Sequence, residues 1–231
     1  IPWDPSFYVF PLDARDLAQV ARLLADHEVE ASLYPLGEQA GVPLLLLGAN
    51  RFSPELVQAI KGQEWDIDVC HLAILPTLGE PGLLVMDMDS TAIRIECIDE
   101  IARLAGVGDQ VAAVTAAAMQ GKLEFADSLR SRVALLEGAP VTILDEVAAA
   151  MPWMPGLQLM VDTLKQSGWT VAIASGGFTR FAGELQQALG LDAIFANELA
   201  VEGGQLSGEV SGRIVDASVK AEVLQQLARE S

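Results

Sequence analysis

The sequence contains few cysteines and few histidines. Of its 231 residues only two are cysteines, Cys70 and Cys97, and they do not form a Cys-x-x-Cys pair. The two histidines, His27 and His71, are far apart in the chain. These residues do not predict a disulfide framework or a zinc site. The low cysteine usage favours a reduced, cytoplasmic setting.

Basic residues and long apolar runs are also scarce. Lysine and arginine total 14 against 32 acidic residues, which gives a net charge of -18 and a pI near 4.3. Such a surface repels nucleic acid and anionic membranes, so small molecules or cations are the expected partners. The longest apolar runs, residues 42–47 and 83–86, are far shorter than the ~20 residues that span a bilayer. No nucleic-acid or membrane partner is therefore predicted.

Strand-like and helix-like patterns alternate in residues 1–75 in the order β-α-β-β-α-β. This order predicts a small ferredoxin-like domain of the kind found in amino-acid-binding ACT modules. Many unrelated proteins share the order, so it does not by itself indicate a ligand. Residues 76–82, rich in proline and glycine, are predicted to be a linker.

The remaining residues, 83–231, predict an α/β domain with a Rossmann-like parallel-sheet core. Residues 83–86 form a continuous apolar run, which is typical of a strand buried on both faces. Helical periodicity then dominates from about residue 98 to residue 150, which predicts an inserted helical cap. Strand and helix alternate again afterwards, and residues 199–210 predict a hairpin that turns at Gly203 and Gly204.

Two carboxylates follow the apolar strand directly, in the run Asp-Met-Asp-Ser-Thr at residues 87–91. The carboxyl ends of such strands are where open α/β sheets bind ligands. Asp87 and Asp89 would repel each other unless a cation or proton compensates, so Mg²⁺ is a natural partner. The alternative is a helix N-cap in a solvated turn.

Two further features predict an anion site. Ser175, Gly176 and Gly177 follow a second apolar strand and lead into a helix, whose N-terminus attracts anions. Lys220 lies at the start of the last helix, where the helix dipole disfavours a cation, so a local anion is its expected partner. The alternatives are an ordinary strand-to-helix turn and a solvated surface lysine.

These three motifs, in this order, resemble those of the haloacid dehalogenase superfamily. Within it, residues 95–102, 118–123, 128–133 and 195–199 resemble the phosphoserine phosphatases, and the similarity extends from about Gly82 to the end of the sequence. The resemblance implies that Asp87 is a nucleophile that forms an aspartyl-phosphate and that Asp89 is the general acid and base. It also implies phosphoryl contacts from Ser175, the Gly176 amide and Lys220. Magnesium would be held by Asp87 and the Asp89 carbonyl.

The same resemblance assigns substrate selection to the cap. Glu96 would bind the ammonium of O-phosphoserine and Arg132 its carboxylate, with Met119 and Phe125 closing the apolar wall. The implied reaction releases serine and phosphate in the last step of serine biosynthesis. Without the resemblance, Glu96 and Arg132 are better interpreted as surface charges, and Met119 and Phe125 as helix-packing residues.

The superfamily pattern includes a fourth motif, similar to Gly-Asp-Gly-x-x-Asp, after the lysine helix. This sequence does not contain it, and Asp192 and Asp216 precede the lysine. The missing segment would also flank the strand before Asp87, which is otherwise exposed as an apolar edge. We therefore expect residues 1–231 to be a truncated form, with weak magnesium binding and little turnover alone.

Two other functions are compatible with the sequence. One is a phosphatase for another small phosphomonoester, which shares Asp87 and Lys220 but not the amino-acid clamp of Glu96 and Arg132. The other is a non-catalytic amino-acid sensor built from the N-terminal module and a degenerate phosphatase body. A homodimer is also compatible with the sequence.

Overall fold

The structure is a computed structural model that describes residues 6–9, 14–39, 42–49, 52–65, 69–72 and 78–230. The chain divides into two compact units, residues 1–77 and residues 78–231. The predicted linker begins at residue 76, and residues 73–77 lie outside the described part of the chain.

The described part of the first unit has the element order β-α-β-β-α-β. Its elements are β1 (Ser6–Val9), α1 (Ala14–Asp26), β2 (Ala31–Gln39), β3 (Val42–Ala49), α2 (Pro54–Lys61) and β4 (Val69–Leu72). The strands pair antiparallel in the spatial order β2-β3-β1-β4. Leu47, Leu56 and Ile60 are buried in the core of this unit. The serine before α2, Ser53, accepts the N–H of Leu56 at 3.2 Å and so caps that helix.

The second unit contains a mixed sheet with two parallel strand pairs and one antiparallel pair, which confirms the predicted α/β core. Its strands are β5 (Leu83–Met86), β6 (Thr170–Phe178), β7 (Ala193–Glu202) and β8 (Gln205–Ser211), in that spatial order. Met86 pairs with Ile173, and Ile173 pairs with Ile194, both in parallel register. The carboxyl ends of β5 and β6 therefore meet at one edge of the sheet.

Helices α3 to α6 lie between β5 and β6 in the chain, and we call residues 97–150 the cap segment. The helices of the second unit are α3 (Cys97–Leu104), α4 (Gly108–Met119), α5 (Phe125–Ala134), α6 (Thr142–Ala150), α7 (Leu157–Gln166), α8 (Thr179–Leu189) and α9 (Ala217–Glu230). Ile101, Leu129 and Leu136 of the cap segment share one hydrophobic cluster with Val161 and Phe181 of the core helices. Burial of this apolar surface holds the insertion against the sheet.

The predicted hairpin is confirmed in β7 and β8, which pair antiparallel. Gly203 and Gly204 make the turn with φ of 57° and 80°, a conformation that costs other residues energy. The tip of the hairpin bonds to the cap segment through its backbone. The bonds join Gly138 N to Leu206 O at 2.9 Å, Leu206 N to Ala139 O at 2.8 Å and Val141 N to Gly204 O at 3.0 Å.

Helix α9 covers one face of the sheet, and β5 is an outer strand of the sheet that the described residues form. Val223 and Leu227 of α9 pack against Ala172 and Ala174 of β6. This contact fixes the first turn of α9 near the carboxyl ends of β5 and β6. Among the helices that the structure describes, none is both long enough and apolar enough to cross a membrane.

Candidate active site

Asp87, Ser175 and Lys220 meet at the carboxyl edge of the sheet. Asp87 follows the last residue of β5, and Ser175 is fully buried in β6. Lys220 Nζ donates a hydrogen bond to Asp87 Oδ2, and the Ser175 hydroxyl bonds the same carboxylate. Three segments that are distant in sequence therefore place one carboxylate between a cation and a hydroxyl.

The surroundings of Asp87 favour its charged form. Partial burial raises the pKa of this carboxyl, but hydrogen bonds from Lys220, Ser175 and the Met88 N–H together outweigh burial. The pKa of Asp87 consequently lies below its ordinary value. The group is a carboxylate at neutral pH, which is the state that a nucleophile requires.

A tight loop after Asp87 positions the second aspartate. The Met88 carbonyl accepts the N–H groups of Thr91, Ala92 and Ile93 at 3.2, 2.8 and 3.1 Å, and Ser90 adopts a left-handed φ of 53°. The loop brings Asp89 to the start of α3, where its Oδ1 accepts the Cys97 N–H at 3.2 Å.

Asp89 differs from Asp87 in protonation. Burial raises the pKa of Asp89 to about 6, and the nearby charges of Glu96 and Asp87 add to this rise, against the hydrogen bonds from Cys97. The two carboxyls of the run are therefore poised for different tasks: Asp87 stays ionised, while Asp89 exchanges its proton near neutral pH.

Glycine is required at residue 177 because the backbone approaches Asp89 closely there. A Cβ on Gly177 would lie 2.5 Å from Asp89 Oδ2 and 2.5 Å from the buried Met88 Cε. On Gly176 a Cβ would lie 2.6 Å from the Phe125 Cζ of the cap segment. The two glycines thus face different sides of the site, one the carboxyl group and the other the cap.

A cavity of about 370 Å³ opens above these groups and extends to the cap segment. On its cap side lie Glu96, Phe125 and Arg132. The Ser90 hydroxyl donates to Glu96 Oε1 at 2.6 Å, and Arg132 Nε lies 3.4 Å from the Ser128 carbonyl. A carboxylate and a guanidinium therefore line the same cavity as the Asp87 and Lys220 pair.

The structure brings most of the site residues predicted from sequence into this one cavity. Those that line it are Asp87, Asp89, Glu96, Phe125, Arg132, Ser175, Gly176 and Lys220. Met119 is not among them, because it lies at the end of α4 with 86% of its surface exposed. Helical periodicity alone did not reveal that this end of α4 faces solvent.

Sequence reasoning assigned no role to three residues near the site. Cys97 donates to Asp89, Asp216 accepts the Val219 N–H at 3.0 Å and so caps α9, and Asn197 is buried beside Gly176. A polar Asn directly after the apolar residues 193–196 was the available signal for Asn197, and an Asp before a helix was the signal for Asp216.

The oxygen donors at the site suit a magnesium ion in part. Mg²⁺ binds through one or two carboxylates and keeps several waters. The Asp87 carboxylate and the Asp89 carbonyl belong to one loop that borders the cavity, and Asp216 lines the same cavity. Within the described residues, no group of three or more His, Cys, Asp or Glu side chains is arranged to hold a metal. These oxygen donors fit a magnesium ion that has few protein ligands and keeps several waters.

Comparison with known proteins gives the class to which this fold and site correspond. A model described as "Hydrolase: haloacid dehalogenase-like hydrolase" matches residues 82–230. Because that match spans more than half of the chain, the protein belongs to the haloacid dehalogenase-like hydrolases.

Particular relatives within the class are phosphoserine phosphatases. The chain is 53% identical over 165 residues to the phosphoserine phosphatase of Haemophilus influenzae, an alignment that covers 71% of this chain and 52% of the relative. It is 52% identical over 165 residues to that of Vibrio cholerae, covering 71% and 50%. The chain thus matches about half the length of each of these relatives.

A solved structure gives the same comparison in three dimensions. The unliganded probable phosphoserine phosphatase of Vibrio cholerae superposes with a TM-score of 0.72 at 39% identity. The superposition covers 97% of this chain and 68% of that one, so it includes both units of the chain.

Proposed function

We propose that the protein is a phosphoserine phosphatase that hydrolyses O-phosphoserine to serine and phosphate. The observation that carries this proposal is one cavity lined by two chemically different groups of side chains. We call Asp87, Asp89, Ser175 and Lys220 the phosphoryl end, because they suit a phosphoryl group. We call Glu96, Phe125 and Arg132 the cap end, whose two charges suit an amino acid. Phosphoserine carries a phosphate, an ammonium and a carboxylate, so its charges match both ends.

The phosphoryl end supports attack by Asp87. One carboxylate oxygen of Asp87 would form a bond to phosphorus while the bond from phosphorus to the serine oxygen breaks, giving an aspartyl-phosphate. The Ser175 hydroxyl, the Gly176 N–H and the Lys220 ammonium would bind the phosphoryl oxygens. Lys220 would donate its hydrogen bond to a phosphoryl oxygen instead of to Asp87, and the Asp87 carboxylate would then be free to attack.

Asp89 supplies the proton that the departing serine oxygen needs. Its pKa of about 6 keeps part of the population protonated close to neutral pH. After the proton has gone to the serine oxygen, the Asp89 carboxylate can accept a proton from the water that attacks the aspartyl-phosphate. Phosphate then leaves, and both aspartates return to their starting states.

We propose Mg²⁺ as the cofactor, held by the Asp87 carboxylate and the Asp89 carbonyl. When bound, the ion would offset negative charge on the phosphoryl group during transfer.

Selection of phosphoserine would come from Glu96 and Arg132. The Ser90 hydroxyl holds Glu96 at 2.6 Å, which orients the carboxylate for an ammonium. Arg132 offers a planar donor pair that matches a carboxylate. Phe125, whose ring lies beside Gly176, would cover the substrate from the cap side. Met119 would contact the substrate only in a closed form of the cap.

The deciding experiment measures phosphate release from O-phosphoserine by the full-length protein, with Mg²⁺ and with EDTA. Asp87→Asn should reduce kcat by roughly 10³-fold or more. When the reaction with radioactively labelled phosphoserine is stopped with acid, the wild-type protein should carry the labelled phosphate and Asp87→Asn should not. Asp162→Asn, an exposed carboxylate on α7, is the matched control and should behave as wild type. Activity that survives in Asp87→Asn contradicts the assignment of the nucleophile.

We infer further that residues 1–75 form a ferredoxin-like unit of the ACT type. The spatial order β2-β3-β1-β4 with two helices supports this inference. Calorimetric titration of serine into full-length Arg132→Ala tests for amino-acid binding outside the active site, and absence of heat at millimolar serine counts against a sensor. The cytoplasmic setting remains our expectation from the cysteine content.

A further inference from the structure

Asn197 is a buried side chain that contacts two loops of the proposed phosphate site. It lies in β7 with 1% of its surface exposed. Its Nδ2 donates to the Gly176 carbonyl at 2.8 Å, and its Oδ1 accepts the Val215 N–H at 2.8 Å. Only this orientation of the amide satisfies both partners, because one is an acceptor and the other a donor.

The first contact fixes a peptide group that the sheet leaves unsupported. The parallel pairing of β6 with β7 is interrupted between Ala174 and Phe178, so the glycine segment between them departs from the regular ladder. The peptide between Gly176 and Gly177 is instead held at both ends. Its carbonyl accepts from Asn197, and its N–H donates to the Ser175 hydroxyl at 3.0 Å. Glycines have wide conformational freedom, so these bonds decide where the backbone points.

The second contact fixes the segment that leads to Lys220. Val215 is buried and precedes Asp216, which caps α9 through the Val219 N–H at 3.0 Å. The Asp216 carbonyl accepts the Lys220 N–H at 2.9 Å. The position of Lys220 is thereby linked through one turn of helix to the oxygen of Asn197.

We propose that Asn197 is a positioning residue that holds the Ser175 to Gly177 segment and the Lys220 helix in register around the phosphoryl group. It touches neither substrate nor reacting atoms, so it acts through Gly176 and Val215. This inference rests on the proposed phosphatase function for its kinetic consequence. The structural coupling between the two loops is independent of that function.

Two substitutions separate the two bonds. Asn197→Ala removes both bonds, so the part-buried Gly176 carbonyl and the buried Val215 N–H lose this partner. Asn197→Asp keeps an acceptor for the Val215 N–H but replaces the donor to the Gly176 carbonyl. Val161→Ala, which truncates a fully buried side chain on α7 that does not line the cavity, is the control for lost stability.

Kinetics and amide spectra are the readouts, at a temperature where every variant is folded. We expect Asn197→Ala to lower kcat for phosphoserine about 10- to 100-fold, because displaced phosphate ligands stabilise the transition state less. Val161→Ala should lower the melting temperature by about as much as Asn197→Ala does and should leave kcat unchanged. The ¹H–¹⁵N resonances of Gly176 and Gly177 should shift in both Asn197 variants, and the Val215 amide should lose exchange protection only in Asn197→Ala.

The outcomes are distinguishable. If Asn197→Ala matches Val161→Ala in kcat and the resonances of Gly176, Gly177 and Lys220 do not move, Asn197 is only a stabilising core residue and the proposal is wrong. If the wild-type protein does not hydrolyse phosphoserine, the proposed function fails, and the amide spectra alone decide whether Asn197 couples the loops. Should Asn197→Ala not fold, Asn197→Asp with the same readouts decides the Gly176 contact.

Discussion

The two ends of the cavity are built differently. At the phosphoryl end, Asp87, Asp89 and Ser175 are each held by hydrogen bonds from neighbouring backbone or side chains. At the cap end, Phe125 is 42% exposed and Glu96 is an exposed carboxylate held by one hydroxyl. Preorganised donors are needed where charge develops during reaction, whereas recognition tolerates side chains that adjust to a ligand. The difference predicts that small changes at the first end will have larger effects.

Gly177→Ala and Gly176→Ala provide the largest contrast. The new methyl group on Gly177 would collide with the Asp89 carboxyl and buried Met88, so kcat should fall by about 10²-fold. On Gly176 the methyl group meets the end of the Phe125 ring, which can move outward because it is partly exposed. Steady-state kinetics of both variants with phosphoserine test this. Equal losses would show that the two ends are equally rigid.

Arg132→Ala tests whether the cap end recognises the amino acid. Loss of a charge-assisted contact should reduce kcat/KM for phosphoserine by roughly 10- to 100-fold, while hydrolysis of p-nitrophenyl phosphate changes little. Arg130→Ala on the same helix is the control, since Arg130 is exposed and pairs with Asp127. Equal losses on both substrates would favour a phosphatase for another phosphomonoester.

The pKa of Asp89 predicts a pH-dependent stability difference. The folded pKa of about 6 lies above the unfolded value near 3.8, so the folded state holds its proton more tightly. As pH rises from about 4 to 6, the wild type should lose roughly 1 to 3 kcal/mol of unfolding free energy that Asp89→Asn retains. Above that window the difference should stay constant.

Urea unfolding of wild type and Asp89→Asn across this pH range measures the effect. EDTA is included because a bound cation would favour the carboxylate. Asp162→Asn, which removes an exposed carboxylate on α7, is the matched control. A gain for Asp89→Asn that shrinks as pH rises would contradict the sign of the pKa shift.

Met119→Ala should have the smallest effect. The side chain is 86% exposed, so truncation should leave the melting temperature within about 1 °C of wild type. If Met119 contacts substrate in a closed form, KM for phosphoserine will rise although stability does not change. Unchanged KM and kcat would show that Met119 is not a substrate contact. They would also remove one reason to expect that the side chains of the cap end adjust to the ligand.

Much of the fold follows from local sequence patterns. The observed elements differ from the predicted ones where pairing between distant segments determines the structure. The strand expected to end before Ser175 continues to Phe178, because Phe178 pairs with Asn197 beyond the irregular glycine segment. Strand β2 passes through Pro35, where a register shift in its pairing with β3 accommodates the proline. Glycine and proline predict turns from local propensity, and only long-range pairing overrides that prediction.

The site was predictable to a similar degree. Asp87 follows β5, and Ser175 lies in the last part of the neighbouring parallel strand β6, so their meeting follows from the topology that the sequence indicates. The opposite protonation preferences of Asp87 and Asp89 were not predictable, since they depend on the Lys220 bond and on burial. Nor was the link through Asn197, whose partners lie about twenty residues away in each direction.

The backbone bonds between the hairpin tip and residues 138–141 limit how the cap segment can move. Those bonds make the second half of the insertion an extension of the sheet edge, so it cannot swing away as a single body without breaking them. The same bonds do not involve α4, which lies between Gly106 and Gly121 with φ of 77° and 71°. Displacement of α4 alone would therefore leave the contact between the hairpin and the cap segment intact.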